Sequence, residues 1–149
     1  MYKMTEEIVN PYINSLLAER RMPLSEEKQR EVLTTLSKAL VKEGKFLLLC
    51  EVEEAYQNDS EISVEYITRT PYMLTEEEDQ LLPVFTMQNI YDDFNMPDKD
   101  TLTLYVCDLL DLLIYLEEHP DVATIVINPM VDDLVLSKGF IMRILDAFH

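Results

Sequence analysis

Apolar positions recur every three or four residues at both ends of this chain, and gather into continuous or alternating runs between them. That pattern predicts helices around a sheet. Asn10 and Pro11 read as a helix cap followed by proline at the first helical position, and Ile13, Leu16 and Leu17 continue at helical spacing to Arg20 and Arg21. A second helix opens at Ser25, Glu26 and Glu27, carries Val32, Leu33, Leu36 and Leu40 as its stripe, and closes through Lys38, Lys42 and Gly44. From Lys45 the period changes. Phe46 to Cys50 is a continuous apolar run, as expected of a central strand covered on both faces.

After a turn at Gln57–Ser60, Ile62, Val64 and Tyr66 alternate with Glu61, Ser63 and Glu65, which predicts a strand with one wet face. Leu81 to Phe85 reads as a third strand, and its Pro83 points to an edge or irregular position. Together the three predict an antiparallel meander. Thr86 is placed to cap a helix bearing Met87, Ile90, Tyr91 and Phe94, which Asn95, Met96 and Pro97 end. Leu102–Val106, Asp108–Glu118 and Val122–Ile127 read as strand, helix and strand. Such a βαβ unit implies a right-handed crossover between parallel strands. Leu134–Leu136 is a brief extended piece, and Ser137 caps a last helix with Ile141, Ile144, Leu145 and Phe148 on one face. The expected fold is α/β. A mixed sheet of about five strands, the meander plus one βαβ unit, is flanked by helices and preceded by an N-terminal helical pair.

A chain of 149 residues with 48% hydrophobic composition is the size of one domain, here divided into N-terminal helices at 1–44 and an α/β unit at 45–149. The start, MYKMTEEIVNP, lacks the basic and apolar regions of an export signal, so the mature protein is expected to begin there and to reside in the cytoplasm. The apolar run Leu109–Leu116 is broken by Asp111 and too short to span a bilayer. Cys50 and Cys107 read as buried thiols of a reducing compartment, with a disulfide between them as the alternative.

The net charge of −17 is unevenly distributed. Residues 1–50 hold 8 basic and 7 acidic side chains, residues 51–100 hold 2 and 14, and residues 101–149 hold 2 and 8. Such a body repels phosphate backbones and anionic lipid, so neither nucleic acid nor membrane is an expected partner, whereas a protein with a basic surface is attracted. Glu76, Glu77, Glu78 and Asp79 form the candidate acidic contact patch. The plainer reading is that the charge keeps the protein soluble.

No catalytic set stands out. The only histidines, His119 and His149, lie at a helix end and at the last position, and neither cysteine has a basic neighbour in sequence to activate it. With Gly44 and Gly139 as the only glycines, no phosphate loop or dinucleotide fingerprint is possible. Asp93, Asn95, Asp98 and Asp100 crowd one loop, but a calcium loop counted from Asp93 would place Asp98 where glycine belongs and Leu104 where glutamate belongs. No catalytic residue, metal ligand or cofactor is assigned. Asn128, Pro129, Asp132 and Asp133 follow the end of a strand expected to be parallel, a common place for ligands, and form a candidate partner or ligand loop. The alternative is a turn in which Asn128 satisfies its own backbone and Pro129 adds rigidity. Tyr2, Tyr56 and Tyr72 fall outside the apolar stripes and are candidates for a surface contact.

The stretch LLPVFT at 81–86 before a capped helix, then IVINP at 125–129 and LVLS at 134–137 before a final helix, resembles the N-terminal domain of the SseB family, named for enhanced serine sensitivity. The similarity runs from about Lys45 to Leu145. It implies a mixed sheet flanked by helices, in a family without an established biochemical activity and with no catalytic residues to carry over. Members tend to have a glycine-containing turn after the Asn-Pro pair, where this chain has Met130, Val131, Asp132 and Asp133. Longer members carry a second domain absent from these residues.

The expected function is a non-enzymatic protein-interaction or regulatory module with an acidic binding face. One form of it is an immunity-like inhibitor of a basic toxin or nuclease. From other classes stand a carboxylate- or metal-dependent enzyme at the Asn128–Asp133 loop and a small-ligand sensor.

Overall fold

The computed structural model describes residues 1–96 and 98–148, with Ala123 described by its backbone alone. Pro11 starts the first helix, α1 (Pro11–Arg20), and Ser25 caps the second, α2 (Glu26–Glu43), by accepting from the Lys28 amide at 3.2 Å. Asn10 is not a side-chain cap. Its backbone is left-handed (φ 39°), and its side chain leaves the helix to bond the Lys45 and Thr86 carbonyls and the Lys45 amide. Leu33, assigned to the buried stripe of α2, is exposed; Val32, Leu36 and Leu40 carry that face.

The remaining elements are β1 (Tyr2–Lys3), β2 (Phe46–Val52), β3 (Ile67–Arg69), β4 (Met73–Leu74), β5 (Gln80–Val84), α3 (Gln88–Asp93), β6 (Thr103–Cys107), α4 (Leu109–Glu118), β7 (Val122–Ile127), β8 (Leu134–Ser137) and α5 (Lys138–Phe148). The α/β class is as expected. Among the described residues its strands form two four-stranded sheets, ordered β1-β6-β2-β3 and β4-β5-β7-β8. An antiparallel bridge between Leu47 and Phe85 joins them, with backbone bonds of 2.8 and 3.1 Å.

The topology differs from the expected one in three places. Residues 61–66 are not a strand. Ile62 exchanges backbone bonds with Met1, and Val64–Tyr66 is a turn of 3₁₀ helix under Ser63, whose hydroxyl accepts from the Glu65 amide. The meander is absent, because β5 lies in the second sheet, parallel to β7. The β6–α4–β7 unit has its elements where expected, but β6 and β7 belong to different sheets.

Pro83 is in β5, an interior strand, so of the two positions expected for it the irregular one holds and the edge does not. The Val84 carbonyl accepts from Asn128 on the β7 side and Phe85 pairs with Leu47 on the other, so Pro83 faces the gap between the end of β4 and that bridge. Thr86 does not cap α3. Met87 is at that position without a side-chain bond, and Thr86 is buried elsewhere. The expected helix-ending role of Pro97 lies outside the described residues.

Strand alternation divides the core. Phe46, Leu48 and Cys50 face a large cluster built with α1, α2, α4 and α5, while Leu47 and Leu49 face a smaller one closed by Tyr91, Met96 and Phe85. This is why the 46–50 run is apolar without a break. Ile13, Leu16 and Leu17 of α1 and Leu36, Ala39 and Leu40 of α2 belong to the larger cluster, so the N-terminal helices pack into the common core.

Candidate functional site

The 128–133 loop leaves the carboxyl end of β7, and its candidate residues turn inward. Asn128, Pro129 and Asp132 are buried and Asp133 is exposed. Asn128 holds φ at 52°, and its carbonyl accepts from the amides of Val131, Asp132 and Asp133. Its side-chain oxygen accepts from the Thr86 amide at 2.9 Å, while its amide group donates to the Thr86 hydroxyl and to Asp132 Oδ2, both at 2.8 Å. Thr86 in turn donates to Asn14 Oδ1 at 2.6 Å.

The other side of the loop is held by α1. Arg20 donates to the Asp132 carbonyl at 3.0 Å, and Arg21 Nε pairs with Asp132 Oδ1 at 3.2 Å. Both amide protons of Asn128 are therefore committed within the protein, and the loop is a latch tying β5, β7 and α1 together. The turn reading of Asn128 accounts for its carbonyl, but its side chain reaches well beyond that turn. At the tip, Met130 (φ 69°) is 78% exposed beside exposed Val131, with the Met130 amide donating to Asp133 Oδ1.

The acidic patch lies elsewhere. Glu76, Glu77, Glu78 and Asp79 are exposed in the turn before β5, and the parallel register pairs Gln80 with Val122 and Val84 with Ile127. The patch is thus at the amino end of these strands and the latch at their carboxyl end, about 20 Å away at 3.3 Å per residue. The two are not one face. The same register brings the patch beside the exposed Asp121 in the connection from α4 to β7, which follows the exposed Glu117 and Glu118 at the end of α4. Seven carboxylates distant in sequence share one pole of the molecule.

Cys50, Cys107 and Tyr115 are buried and His119 is half-buried. Cys50 lies opposite Thr103 and Cys107 opposite Phe46, so the thiols are four ladder positions apart, about 13 Å and too far for a disulfide. Both are free and buried. Burial pushes the Cys50 thiol up to about 12 and raises Cys107 well above its ordinary value, leaving both protonated at neutral pH. The Tyr115 hydroxyl sits 2.7 Å from Thr70 Oγ1 and 2.5 Å from the Tyr72 hydroxyl, and burial chiefly raises its pKa. His119 stacks on Tyr115, with its Nδ1 2.9 Å from the Tyr115 carbonyl. His149 lies outside the described residues. Of the tyrosines singled out for surface contacts, Tyr2 and Tyr72 are exposed, while Tyr56 stacks on Tyr66 with ring centroids 3.8 Å apart. Among the described residues no group of three or more His, Cys, Asp or Glu side chains is arranged to hold a metal, and no helix is long and apolar enough to cross a membrane.

One feature was not anticipated. An open groove of about 660 Å³ runs between α4 and α5, lined by Leu110, Leu113, Met142 and Leu145 with Arg143 and Asp146. Leu110 is 52% and Met142 48% exposed, large values for apolar side chains on paired helices. The signal was present in LLDLLIYLEE, a helix apolar on nearly every side; such a helix has more than one surface to cover. Met142 gave less warning, since it falls outside the stripe that buries Ile141 and Ile144.

No protein-family model, curated protein or solved structure matches this chain, so the resemblance to the SseB family stands on its short motifs alone.

Proposed function

We propose that this protein is a non-catalytic interaction module that docks an apolar segment of a partner protein between α4 and α5. The observation that carries this reading is the pair of exposed apolar side chains, Leu110 and Met142, on a groove lined largely by leucine and methionine. Water held against such surface is released on binding, at about 25 cal/mol per Å² of apolar area covered. The acidic pole adds long-range attraction for a basic partner. An inhibitor of a basic toxin or nuclease would use the same two features.

A variant that blocks the groove without disturbing the core tests this. A Cβ built on Gly139, which also lines the groove, meets nothing within 4 Å, so Gly139→Phe projects into open space. Affinity capture from native lysate is expected to return a partner with the wild type and lose it with Gly139→Phe and with Met142→Asp, while circular dichroism is unchanged. A partner retained by both variants would refute the groove. A second reading places the contact on Met130 and Val131, the exposed tip of the latch. Loss of the same partner with Met130→Asp but not with Gly139→Phe would favour it.

A further inference from the structure

We infer that the occupant of the α4–α5 groove is a basic amphipathic helix of another protein, its apolar stripe on Leu110 and Met142 and its cationic end over the acidic pole. This rests on the groove reading above and adds the class and direction of the partner. The direction follows from connectivity. The last residue of α4, Glu118, is separated by three residues from the start of β7, and α5 begins directly after β8, whose Ser137 pairs with Thr124 near that same start. The carboxyl end of α4 and the amino end of α5 therefore meet at the pole, and the two helices run antiparallel. Along α4, Leu110, Leu113 and Glu117 follow one another at helical spacing, so the apolar wall ends in a carboxylate as it nears the pole.

Seven exposed carboxylates lie at that end: Glu76–Asp79, Glu117, Glu118 and Asp121. None of them is in an ion pair among the described residues. Lys138 at the start of α5 is the basic residue the strand register brings nearest. Unpaired like charges beside an apolar groove raise the local potential for cations and repel an acidic occupant. The same charge disfavours a second copy, since each chain carries −17 and symmetric docking would set pole against pole or pole against an acidic body. A groove between two helices accepts a third through side-chain ridges at i, i+3, i+4 and i+7. With α4 and α5 at 10 and 11 residues, the seated part of the occupant is about 15 Å, or three turns.

The test uses the full chain and two labelled sixteen-residue peptides with leucine at i, i+3, i+4 and i+7. One carries four lysines at one end and its twin carries four glutamates. Fluorescence anisotropy is read at about 0.01 M and 0.15 M salt, where the screening length falls from about 30 to about 8 Å. The lysine peptide is expected to bind at least about tenfold more tightly than its twin at low salt, and to lose about that factor at 0.15 M. Glu117→Lys with Glu118→Lys should remove most of this salt dependence, and Gly139→Phe should abolish binding at both salts.

Equal binding of the twins, both lost in Gly139→Phe, overturns the basic helix and leaves the groove standing. Undiminished binding of the lysine peptide to Gly139→Phe overturns both readings. Failure of both peptides to saturate at about 1 mM overturns the occupant, and the capture experiment above then decides the groove alone. Sedimentation of the wild type as a dimer that Gly139→Phe disperses would identify a second copy as occupant, and would also overturn the proposal.

Discussion

Asn128 and Met130 show opposite uses of one backbone conformation. Both are left-handed, with φ of 52° and 69°, a region that costs a non-glycine residue roughly 1–2 kcal/mol. Asn128 offsets this through three side-chain hydrogen bonds in a buried site; Met130 has one backbone bond and an exposed side chain. Asn128→Ala should therefore cost about 3 kcal/mol, since it removes those bonds and leaves the buried Thr86 amide unpaired. Met130→Gly should stabilise by about 0.5 kcal/mol, the relieved strain exceeding glycine's extra chain entropy. Urea titrations of the two variants test this. A loss in both would mean that the loop backbone is unstrained at Met130. The sequence pointed to this loop because Asn-Pro follows a strand, but it could not show that Asn128 reaches Thr86, 42 residues away.

At the scale of elements, the two glycines differ by their surroundings. Gly44 follows α2 with an ordinary extended backbone, so left-handed freedom is not its purpose. A Cβ there would lie 2.5 Å from the Leu40 carbonyl oxygen and 2.9 Å from the Phe46 ring, whereas one at Gly139 would meet nothing within 4 Å. Gly44→Ala is expected to cost about 2 kcal/mol through overpacking, and Gly139→Ala to gain up to about 1 kcal/mol in helix propensity. Thermal unfolding midpoints moving in opposite directions would bear this out; equal shifts would contradict it. The helices were legible because their apolar period and caps are local, as Ser25 above α2 and the reciprocal Asp108–Asp111 capping box of α4 show. Residues 61–66 read as a strand because Ile62 and Val64 are buried between exposed Glu61, Ser63 and Glu65, and only the 3.1 Å bond from the Tyr66 amide to the Ser63 carbonyl, which closes a 3₁₀ turn, excludes it.

Over the whole molecule, the charge has a geography that counting along the chain approached but could not complete. Glu76–Asp79 and Glu117–Asp121 are about 40 positions apart, and the β5–β7 register alone joins them. Reversing Glu76, Glu77 and Glu78 to Lys should raise the unfolding midpoint at low salt and lose that advantage as ionic strength passes about 0.1 M, where surface repulsion is screened. A midpoint shift independent of salt would mean that repulsion at the pole does not act. From the sequence alone followed the α/β class, most helices, the buried strand at Phe46–Cys50 and the acidic excess, because each depends on local period or composition. Tertiary structure alone decided the division into two sheets, the placing of β5 beside β7, the inward turn of Asn128 and Asp132, and the groove between α4 and α5. Strand partnership is a contest among segments with similar β propensity, settled by which pairing covers the most apolar surface while leaving the fewest backbone groups unbonded. That sum runs over the whole chain and cannot be read from any one stretch of it.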